Sequence, residues 1–486
     1  MNQKSIKKNF FYNTSLKILN IIFPIITFPY VARVLSPVGI GKVDFSMSII
    51  QYFILIAQLG IPTYAIRECA KVRDDKEKLT QTVQEILGIN LIAVVFSYIL
   101  FVFMISNVEQ LEGYRNLLMI ASLNIFATSI GVEWFYQSVE EYKYITIRNI
   151  FVKIVSLIAI FLFINDENDF ALYAMITVLS TSIGYLYNFI HIKKHIRIFK
   201  RQNNYNFRKH LKPILLLFAM SLSVSIYVNL DKVMLGFLTS DAEVGLYTAA
   251  NKMINVILAL VTSLGTVLLP RMSYYIETNK IIQVKRLIKK SLDFILMISI
   301  PATIGIIMLA HPIIMIFAGP EYLKAVPTIR IISPIIIAIA VSNLIGIQIL
   351  VSHGKEKITL LSTIVGAVVN FALNLILIPI MKQNGAALGT LLAEISVTLI
   401  QLFYAFSYIK GNVPWKSLAT YLLGGVLILI TTAMINNSTS SMMIYTITSV
   451  ILSVVVYFVF LYLIKNELVI EISRSIFAKL KRKDKN

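Results

Sequence analysis

The chain has 486 residues, of which 57% are hydrophobic and only 14% are charged. Soluble domains usually carry about 45–50% apolar and about 25% charged residues, so this composition excludes a soluble enzyme and predicts a protein that is solvated by lipid. The formal net charge of +20 would suggest nucleic-acid binding in a soluble protein, but in a membrane protein its meaning depends on where the basic residues lie. The single cysteine, Cys69, excludes an intramolecular disulfide.

Fourteen windows of the sequence are long and apolar enough to cross a bilayer, since a spanning helix needs about 20 mostly apolar residues. The segments between the windows are short and leave no room for a soluble domain. In chain order, the windows cover residues 14–34, 43–65, 82–105, 116–138, 147–165, 170–192, 212–236, 245–269, 290–317, 326–352, 358–381, 385–409, 418–436 and 443–464. The sequence therefore predicts an all-α polytopic membrane protein with about fourteen transmembrane helices.

The basic residues are concentrated in alternate connections between these windows. When the N-terminus is placed in the cytoplasm, most of the 45 Lys and Arg residues fall on the cytoplasmic side, notably in the loop 193–212 and the tail 465–486. This asymmetry follows the positive-inside rule and predicts that both termini are cytoplasmic. Basic loops that face anionic lipid explain the net charge without nucleic acid. The tail would either lie on the inner leaflet as an amphipathic helix or remain solvated.

An internal repeat indicates two similar halves. The segment LSPVGIGKVDFSMSIIQYF from Leu35 aligns with LTSDAEVGLYTAANKMINVI from Leu238, and one inserted residue brings Gly41 opposite Gly245. Both segments leave a helix that begins in the cytoplasm, so the halves have the same orientation, an arrangement typical of transporters that work by alternating access. The predicted organisation is an N-terminal lobe of six helices (1–193), a basic cytoplasmic linker (194–212), a C-terminal lobe of six helices (213–410), two further helices (411–465) and a basic cytoplasmic tail (466–486).

The first predicted helix carries two prolines, Pro24 and Pro29, near its middle. Proline removes a backbone hydrogen bond and kinks a helix, and the freed carbonyls must then find partners or face a wet cavity. The helix is therefore either a moving, cavity-lining element or one with a static kink.

Several predicted spanning helices carry ionisable residues at matching depths. Such residues are costly inside a bilayer and indicate either a functional site or an ion pair that holds two helices together. The pairs that depth suggests are Glu133 with Lys153, Asp231 with Lys252, and Arg33 with Asp44, while Lys232 points to a different helix face from its neighbour Asp231.

For two further ionisable residues the sequence alone suggests no pair at a matching depth. Glu394 lies about nine residues into the twelfth predicted helix, and its carboxyl would either carry a proton or remain protonated and hydrogen-bonded. Lys17 lies close enough to the end of the first helix to extend its ammonium to the interface.

Sequence motifs of catalysis are absent: there is no Gly-rich phosphate loop, no HExxH and no nucleophile elbow. The five histidines lie mainly in loops or near the ends of predicted helices. The sequence therefore predicts a protein that is not an enzyme and that needs neither a cofactor nor a metal.

Four segments resemble the polysaccharide repeat-unit flippases of bacteria, the O-antigen and capsule type within the multidrug/oligosaccharidyl-lipid/polysaccharide exporter superfamily. These segments are FPIITFPYVARVLSPVGIGKVDFS (23–46), EWFYQSVEEYKYITIRNI (133–150), NLDKVMLGFL with GLYTAANKM (229–238 and 245–253), and NFALNLILIPIMKQNGAALGTLLAE (370–394). The resemblance covers essentially the whole chain in the same order. It implies a fourteen-helix, two-lobed fold in the bacterial cell membrane.

The resemblance also implies a substrate, an undecaprenyl-pyrophosphate-linked oligosaccharide that crosses from the inner to the outer leaflet. A pyrophosphate needs fixed cations, and sugars need amide or aromatic contacts. By their position, the candidate pyrophosphate ligands are Arg33, Lys153, Lys232, Lys252 and Lys17. The candidates for ion coupling or charge pairing are Asp44, Glu133, Asp231 and Glu394. The candidate sugar contacts are Trp134, Asn229, Gln348, Asn370 and Asn374.

The expected partners are this lipid-linked oligosaccharide and membrane lipid, with a polysaccharide polymerase and glycosyltransferases as further candidates and no nucleic acid. A cation-coupled multidrug antiporter of the same superfamily is one alternative, although the cations inside the predicted helices argue against it. A second alternative is export of another lipid-linked glycan, such as a teichoic acid or peptidoglycan precursor. A membrane scaffold without transport fits poorly, because a scaffold needs neither buried charges nor paired prolines.

Overall fold

The computed structural model describes residues 6–200, 204–436, 441–471 and 473–474. Within these ranges the chain forms helices joined by short connections, and no β-strand is present. Contacts between residues divide the chain into two compact units, residues 1–248 and 249–486. The all-α prediction is confirmed, while the predicted division into lobes, linker and additional helices stays a prediction.

The first unit is built from α-helices that follow one another closely. They are α1 (Ile6–Gln58), α2 (Ile61–Lys71), α3 (Lys76–Asn107), α4 (Arg115–Ile130), α5 (Glu133–Ser138), α6 (Tyr142–Phe163), α7 (Phe170–His191), α8 (Arg208–Leu238) and the beginning of α9 (Asp241–Glu277). Single 3₁₀ segments at Glu109–Tyr114, Glu167–Asp169 and Ile192–Lys194 connect some of them.

Helix α1 contains two helical segments that meet at a kink. Ser36 departs from helical geometry, with φ 57° and ψ 173°, and Pro37 begins the second segment. A proline at the first position of a helical segment sacrifices no hydrogen bond, so Pro37 is well placed to start a new segment. The prolines singled out in the sequence, Pro24 and Pro29, both lie within the first segment.

The second unit contains the remainder of α9 and a further series of helices. They are α10 (Ile281–Met308), α11 (Ala310–Phe317), α12 (Val326–Ile332), α13 (Ile335–Asn343), α14 (Glu356–Met381), α15 (Gln383–Ile409), α16 (Trp415–Asn436) and α17 (Met442–Leu463). Helix α13 continues into a π-helical segment, Leu344–Leu350, and 3₁₀ segments occur at Pro320–Ala325 and Val351–His353.

Twelve helical segments within the described ranges are long and apolar enough to span a membrane. One of them, Phe11–Lys71, contains the first two predicted windows on either side of the kink. The predicted window 212–236 lies on α8, which is not among the twelve. The count of fourteen spanning helices and the orientation of the termini therefore stay predictions.

The outer surface of these helices is apolar. Side chains such as Ile92, Phe151 and Phe403 are exposed to 74%, 68% and 79%, whereas Ser97 and Asn370 are fully buried. A soluble protein would lose free energy by leaving such large apolar side chains in water, but a bilayer solvates them. The structure thus confirms the prediction of a multi-pass membrane protein.

Residues 204–210, just before α8 and in its first turn, pack against α3. Glu85 of α3 is fully buried, and its carboxylate accepts a 2.7 Å hydrogen bond from the Asn206 N–H. The same carboxylate lies 2.8 Å from His210 Nε2 and 2.7 Å from Lys209 Nζ. The hydroxyl of Tyr64 lies 2.7 Å from the other ring nitrogen of His210. These contacts attach the predicted linker to the first unit.

Two connections on the predicted cytoplasmic side carry exposed charges. Arg73 Nη1 lies 2.7 Å from Glu140 Oε1, and this hydrogen bond to a carboxylate raises the pKa of Arg73 above its ordinary value. Asp75 caps the start of α3 by accepting 3.1 Å hydrogen bonds from the backbone N–H groups of Glu77 and Lys78. The hydrogen bond from Lys78 is the main cause that lowers the pKa of Asp75.

The chain turns into a short helical segment after α17. The Asn466 side chain accepts hydrogen bonds of 3.1 Å from Leu468 N–H and 3.2 Å from Val469 N–H, and both residues are almost completely buried. Most of the predicted basic tail, residues 472 and 475–486, lies outside the described residues. Whether the tail is amphipathic or solvated therefore stays open as a prediction.

Candidate functional site

The kink of α1 lies where the beginnings of two helical segments cross. A Cβ atom added at Gly41 would overlap the backbone oxygen of Asp241, the first residue of α9. A Cβ atom added at Gly245 would overlap the backbone oxygen of Pro37 in the same way. Each glycine thus faces the residue four positions before the other, so the two glycines that the repeat aligned occupy equivalent places in a reciprocal contact.

An ion pair joins α1 to α8 just beyond this crossing. Lys232 Nζ lies 3.5 Å from Asp44 Oδ2, and the two side chains are 23% and 19% exposed. Depth in the sequence suggested Arg33 as the partner of Asp44. The Arg33 side chain is exposed, and its Nη1 donates a 3.2 Å hydrogen bond to the Pro29 carbonyl. One candidate cation, Arg33, therefore lies on α1 just before the kink. Another, Lys232 of α8, contacts α1 after the kink through Asp44.

Asp231 lies one residue before Lys232 but in a different environment. It is 3% exposed, and its carboxylate accepts a hydrogen bond from the hydroxyl of Tyr247 on α9. The adjacent positions thus point to different sides of α8, as the sequence predicted. Asp231 helps to hold α8 against α9, whereas Lys232 forms an ion pair with Asp44 of α1.

Glu133 pairs with Arg148, and the predicted pair of Glu133 with Lys153 is wrong. Arg148 Nη2 lies 3.0 Å from Glu133 Oε2, and the guanidinium also bonds the Gly184 carbonyl at 3.3 Å and Asn149 Oδ1 at 2.8 Å. Arg148 and Lys153 are five positions apart on α6, which is about 140° around a helix. The prediction compared depths but not helix faces, so it chose a cation on the wrong face.

The other candidates of the first unit lie apart from this pair. Lys153 Nζ is 4.6 Å from the centre of the Phe23 ring, a cation–π contact with α1, and Lys17 is exposed. Trp134 is only 5% exposed within an apolar cluster. The Asn229 amide donates a 3.2 Å hydrogen bond to the Ser225 carbonyl one turn earlier. Because Trp134 is packed in this cluster, its ring does not present a free face to a sugar.

The amide candidates of the second unit are completely buried. Asn374 donates to Asn370 at 3.2 Å, and Asn370 donates to Thr390 of α15 at 3.4 Å, so they connect α14 with α15. Gly389 of α15 allows this approach, because a Cβ there would overlap the Asn374 amide oxygen. Interhelical amides of this kind are common in membrane proteins.

Gln348, Glu394 and Lys252 occupy three separate positions in this unit. Gln348 lies in the π-helical segment, is 0% exposed and has no hydrogen-bond partner within the described residues for either amide atom. Glu394 is 7% exposed on α15, and its backbone carbonyl accepts a 2.8 Å hydrogen bond from Thr398. Lys252 is half-buried on α9.

An apolar cavity of about 340 Å³ lies between α10, α16 and α17. Its walls include Pro301, Ile306, Ile428, Val454 and Tyr457. A cavity with such walls suits an apolar chain and offers little to a sugar.

Sequence reasoning missed the role of Arg148. Arg148 is the second residue of the predicted window 147–165 and was not among the candidate cations, whereas its side chain is 6% exposed and paired. The signal that could have found it is the position of Arg148 within the segment EWFYQSVEEYKYITIRNI, fifteen residues after Glu133 in a helical hairpin.

The sequence from residue 6 to residue 276 matches the family described as "Polysaccharide biosynthesis protein", which is more than half of the chain. The chain belongs to this family. A second family, MatE, matches residues 217–376. The predicted resemblance to polysaccharide flippases is thus confirmed at the level of the family.

Among its relatives, this polysaccharide biosynthesis protein is 26% identical over 404 residues to a putative O-antigen transporter of Escherichia coli K12, covering 83% of this chain and 97% of the relative. Its fold is similar to that of the lipid II flippase MurJ in an inward closed conformation, with a TM-score of 0.73, 17% identity and coverage of 95% and 99%. An inward-facing multidrug resistance MATE family transporter gives a TM-score of 0.63 at 14% identity, with coverage of 83% and 98%. The two structural similarities indicate a shared fold.

Proposed function

We propose that this polysaccharide biosynthesis protein is a flippase for an undecaprenyl-pyrophosphate-linked oligosaccharide repeat unit. It would move the substrate from the inner to the outer leaflet by alternating access and would catalyse no chemical step. The observation that carries the proposal is the set of cationic side chains, Arg33 on α1 and Lys232 on α8 above all, in a chain from this family. Its similarity to a putative O-antigen transporter over nearly the whole relative supports the glycan as cargo.

The charges suit a pyrophosphate that must be bound and then released. The Arg33 guanidinium is exposed and offers several donors in a planar fork, which matches phosphate oxygens. Lys232 is neutralised by Asp44 at 3.5 Å, a distance long enough for an incoming anion to compete for the ammonium. Pairing with Asp44 would lower the cost of an embedded lysine between transport cycles.

The lipid part of the substrate needs a different environment. A polyprenyl chain remains in the bilayer or in an apolar groove while the polar head group crosses. The apolar cavity between α10, α16 and α17 is a candidate for part of that chain.

The reciprocal glycine contact supports a transport cycle. At the two glycines, the backbones of α1 and α9 are in direct contact, with no side chain between them. The two helices can therefore pack closely and can separate without disrupting interdigitated side chains. We propose that this contact forms and opens during alternating access.

A gene deletion in the native bacterium tests the proposal. Membrane lipids would be extracted, and lipid-linked oligosaccharides and surface polysaccharide would be measured. Accumulation of a complete lipid-linked repeat unit with loss of surface polysaccharide is the expected result. Accumulation of a peptidoglycan or teichoic acid precursor would assign another glycan, and new sensitivity to cationic drugs without any accumulation would favour the antiporter.

Substitution of Arg33 or Lys252 by Ala should impair export while the protein remains inserted in the membrane. A charge-assisted contact to phosphate contributes about 1.5–3 kcal/mol, so the rate of export should fall about tenfold or more. Surface polysaccharide and protein level in the membrane are measured together. The matched control is Lys324→Ala, which removes an exposed lysine from a short 3₁₀ segment. Normal surface polysaccharide in both variants would refute the role of these cations.

A further inference from the structure

A second cavity lies beside Arg148, away from the kink of α1. It has a volume of about 630 Å³ and lies between the start of α6 and the end of α7. Lys143 and Arg148 line one part of it, while Phe151 and Ile183 line another. Pockets between membrane helices that present basic side chains on the cytoplasmic side are typical sites for lipid head groups.

The polar part of the cavity contains an unsatisfied donor. Arg148 is 8% exposed, and its two terminal nitrogens are bonded to Glu133, Asn149 and the Gly184 carbonyl. Its Nε is buried and has no hydrogen-bond partner among the described residues. A buried donor without a partner costs about 1–3 kcal/mol, so the guanidinium would gain a hydrogen bond by turning its Nε toward an acceptor in the cavity.

The apolar part of the cavity opens toward lipid. Ile147, Phe151 and Ile183 are 52%, 68% and 56% exposed on membrane-crossing helices. Next to them, the ring of Tyr144 stacks on His191 at 4.2 Å, and Tyr187 lies 6.2 Å from the same histidine. Rings of this amphipathic kind are enriched at the boundary between lipid and water, where a head group lies.

We propose that this cavity binds a membrane phospholipid, with its phosphodiester at Lys143 and Arg148 and an acyl chain along Phe151 and Ile183. The charge of the site favours this ligand over the pyrophosphate of the transported substrate. Two carboxylates, Glu133 beside Arg148 and Glu141 in the wall, offset the two cations. The single negative charge of a phosphodiester is therefore accommodated more easily than the multiple charges of a pyrophosphate.

The proposed site lies on the side that the positive-inside rule assigns to the cytoplasm, where anionic lipids are abundant. A phospholipid wedged between α6 and α7 would stabilise the pair of helices that carries Arg148. This inference does not depend on the identity of the transported glycan, and it can hold or fail independently of the proposed flippase activity.

Native mass spectrometry of the purified full-length protein tests the inference. Phosphatidylglycerol is compared with a diglucosyl diacylglycerol, which has acyl chains but no phosphate. The wild type should retain phosphatidylglycerol and not the glycolipid. Lys143→Ala should lower phosphatidylglycerol retention about tenfold, because one charge-assisted hydrogen bond is lost. Lys76→Ala, which removes an exposed lysine at the start of α3, should leave retention unchanged.

A second variant tests the apolar part of the cavity independently of its charged residues. Ile183→Trp should fill the apolar part of the cavity and reduce phosphatidylglycerol retention without altering Lys143 or Arg148. Equal retention of both lipids by the wild type, or unchanged retention in both Lys143→Ala and Ile183→Trp, would overturn the proposal. Displacement of phosphatidylglycerol by an equimolar amount of undecaprenyl phosphate would also overturn it, since the cavity would then belong to the substrate pathway.

Discussion

Gln348 is a buried polar side chain whose retention has two physical explanations. Its amide is fully buried in a π-helical segment, and neither of its polar atoms has a hydrogen-bond partner within the described residues. π-Helical segments often occur at functional sites, and an unsatisfied buried amide costs about 1–3 kcal/mol. The residue is therefore either retained for a sugar hydroxyl that arrives with the substrate or is a net cost to stability.

Gln348→Met should raise the thermal stability of the purified protein, because the apolar side chain of similar size removes the unsatisfied amide. The expected gain is about 1–3 kcal/mol, read as an increase in Tm by tryptophan fluorescence. Gln383→Met is the control, because the buried Gln383 amide donates a 3.2 Å hydrogen bond to the Lys324 carbonyl, and its loss should lower Tm.

Export separates the two explanations of Gln348. If the amide contacts the glycan, Gln348→Met should lower surface polysaccharide despite its higher Tm. A variant that is more stable and exports normally would remove Gln348 from the candidate sugar contacts. A lower Tm would contradict the account of an unsatisfied amide.

At the scale of the element, the crossing of α1 and α9 depends on two glycines. Glycine in a helix is normally less stable than alanine by about 0.5–1 kcal/mol, so its presence needs a reason. At Gly41 and Gly245 the reason is the backbone oxygen of the opposite helix, which leaves no space for a Cβ atom. The repeat therefore preserves a contact as well as a sequence similarity.

Gly41→Ala and Gly245→Ala should each destabilise the protein by about 1–3 kcal/mol, which is the usual cost of forcing an extra carbon into a packed contact. Unfolding is followed by heat denaturation of the purified protein. Gly305→Ala is the matched control, because Gly305 lies inside α10 and a Cβ there meets no atom within 4 Å. The control should gain stability, and a similar gain at Gly41 would contradict the tight crossing.

The attachment of the predicted linker to α3 is a second feature at the scale of the element. Glu85→Ala would leave Lys209, His210 and the Asn206 N–H without their shared acceptor. Removal of one partner from a buried charged cluster costs about 3–5 kcal/mol, so residues 204–210 should exchange their amide hydrogens faster. Hydrogen-exchange mass spectrometry measures this change, and the exposed Glu77→Ala in the first turn of α3 should leave it unaltered. Unchanged exchange in Glu85→Ala would contradict the attachment.

Much of the fold could be predicted from the sequence, but the partners of buried charges could not. A membrane helix satisfies its own backbone hydrogen bonds, so about 20 apolar residues are sufficient to indicate one. A charged pair also depends on the rotation of each helix, and depth does not carry that information. Glu133 was a candidate for ion coupling or charge pairing, and in the structure it pairs with Arg148, which lies on the required face of α6.

At the scale of the whole molecule, the candidate spans do not determine which connections face the cytoplasm and which face the outside. Among the described segments, Gly113 lies in the 3₁₀ turn that begins the candidate span Glu109–Ser138, and three more candidate spans, on α6, α7 and α9, follow before Lys280, which makes four crossings. Helix α8 lies between the same positions and would make the number five. An odd number of crossings places the two positions on opposite sides of the membrane, and an even number places them on the same side.

Single-cysteine labelling therefore tests both the orientation and the fourteen-helix prediction. Gly113→Cys should react with a membrane-impermeant maleimide in intact cells, because the positive-inside rule places this connection outside. Lys280→Cys should react only after the membrane is made permeable. Both positions are exposed, and the natural Cys69 is fully buried, so the unmodified protein supplies a background with little labelling. Labelling of both variants in intact cells would mean that α8 does not cross, and labelling of Lys280→Cys alone would reverse the orientation.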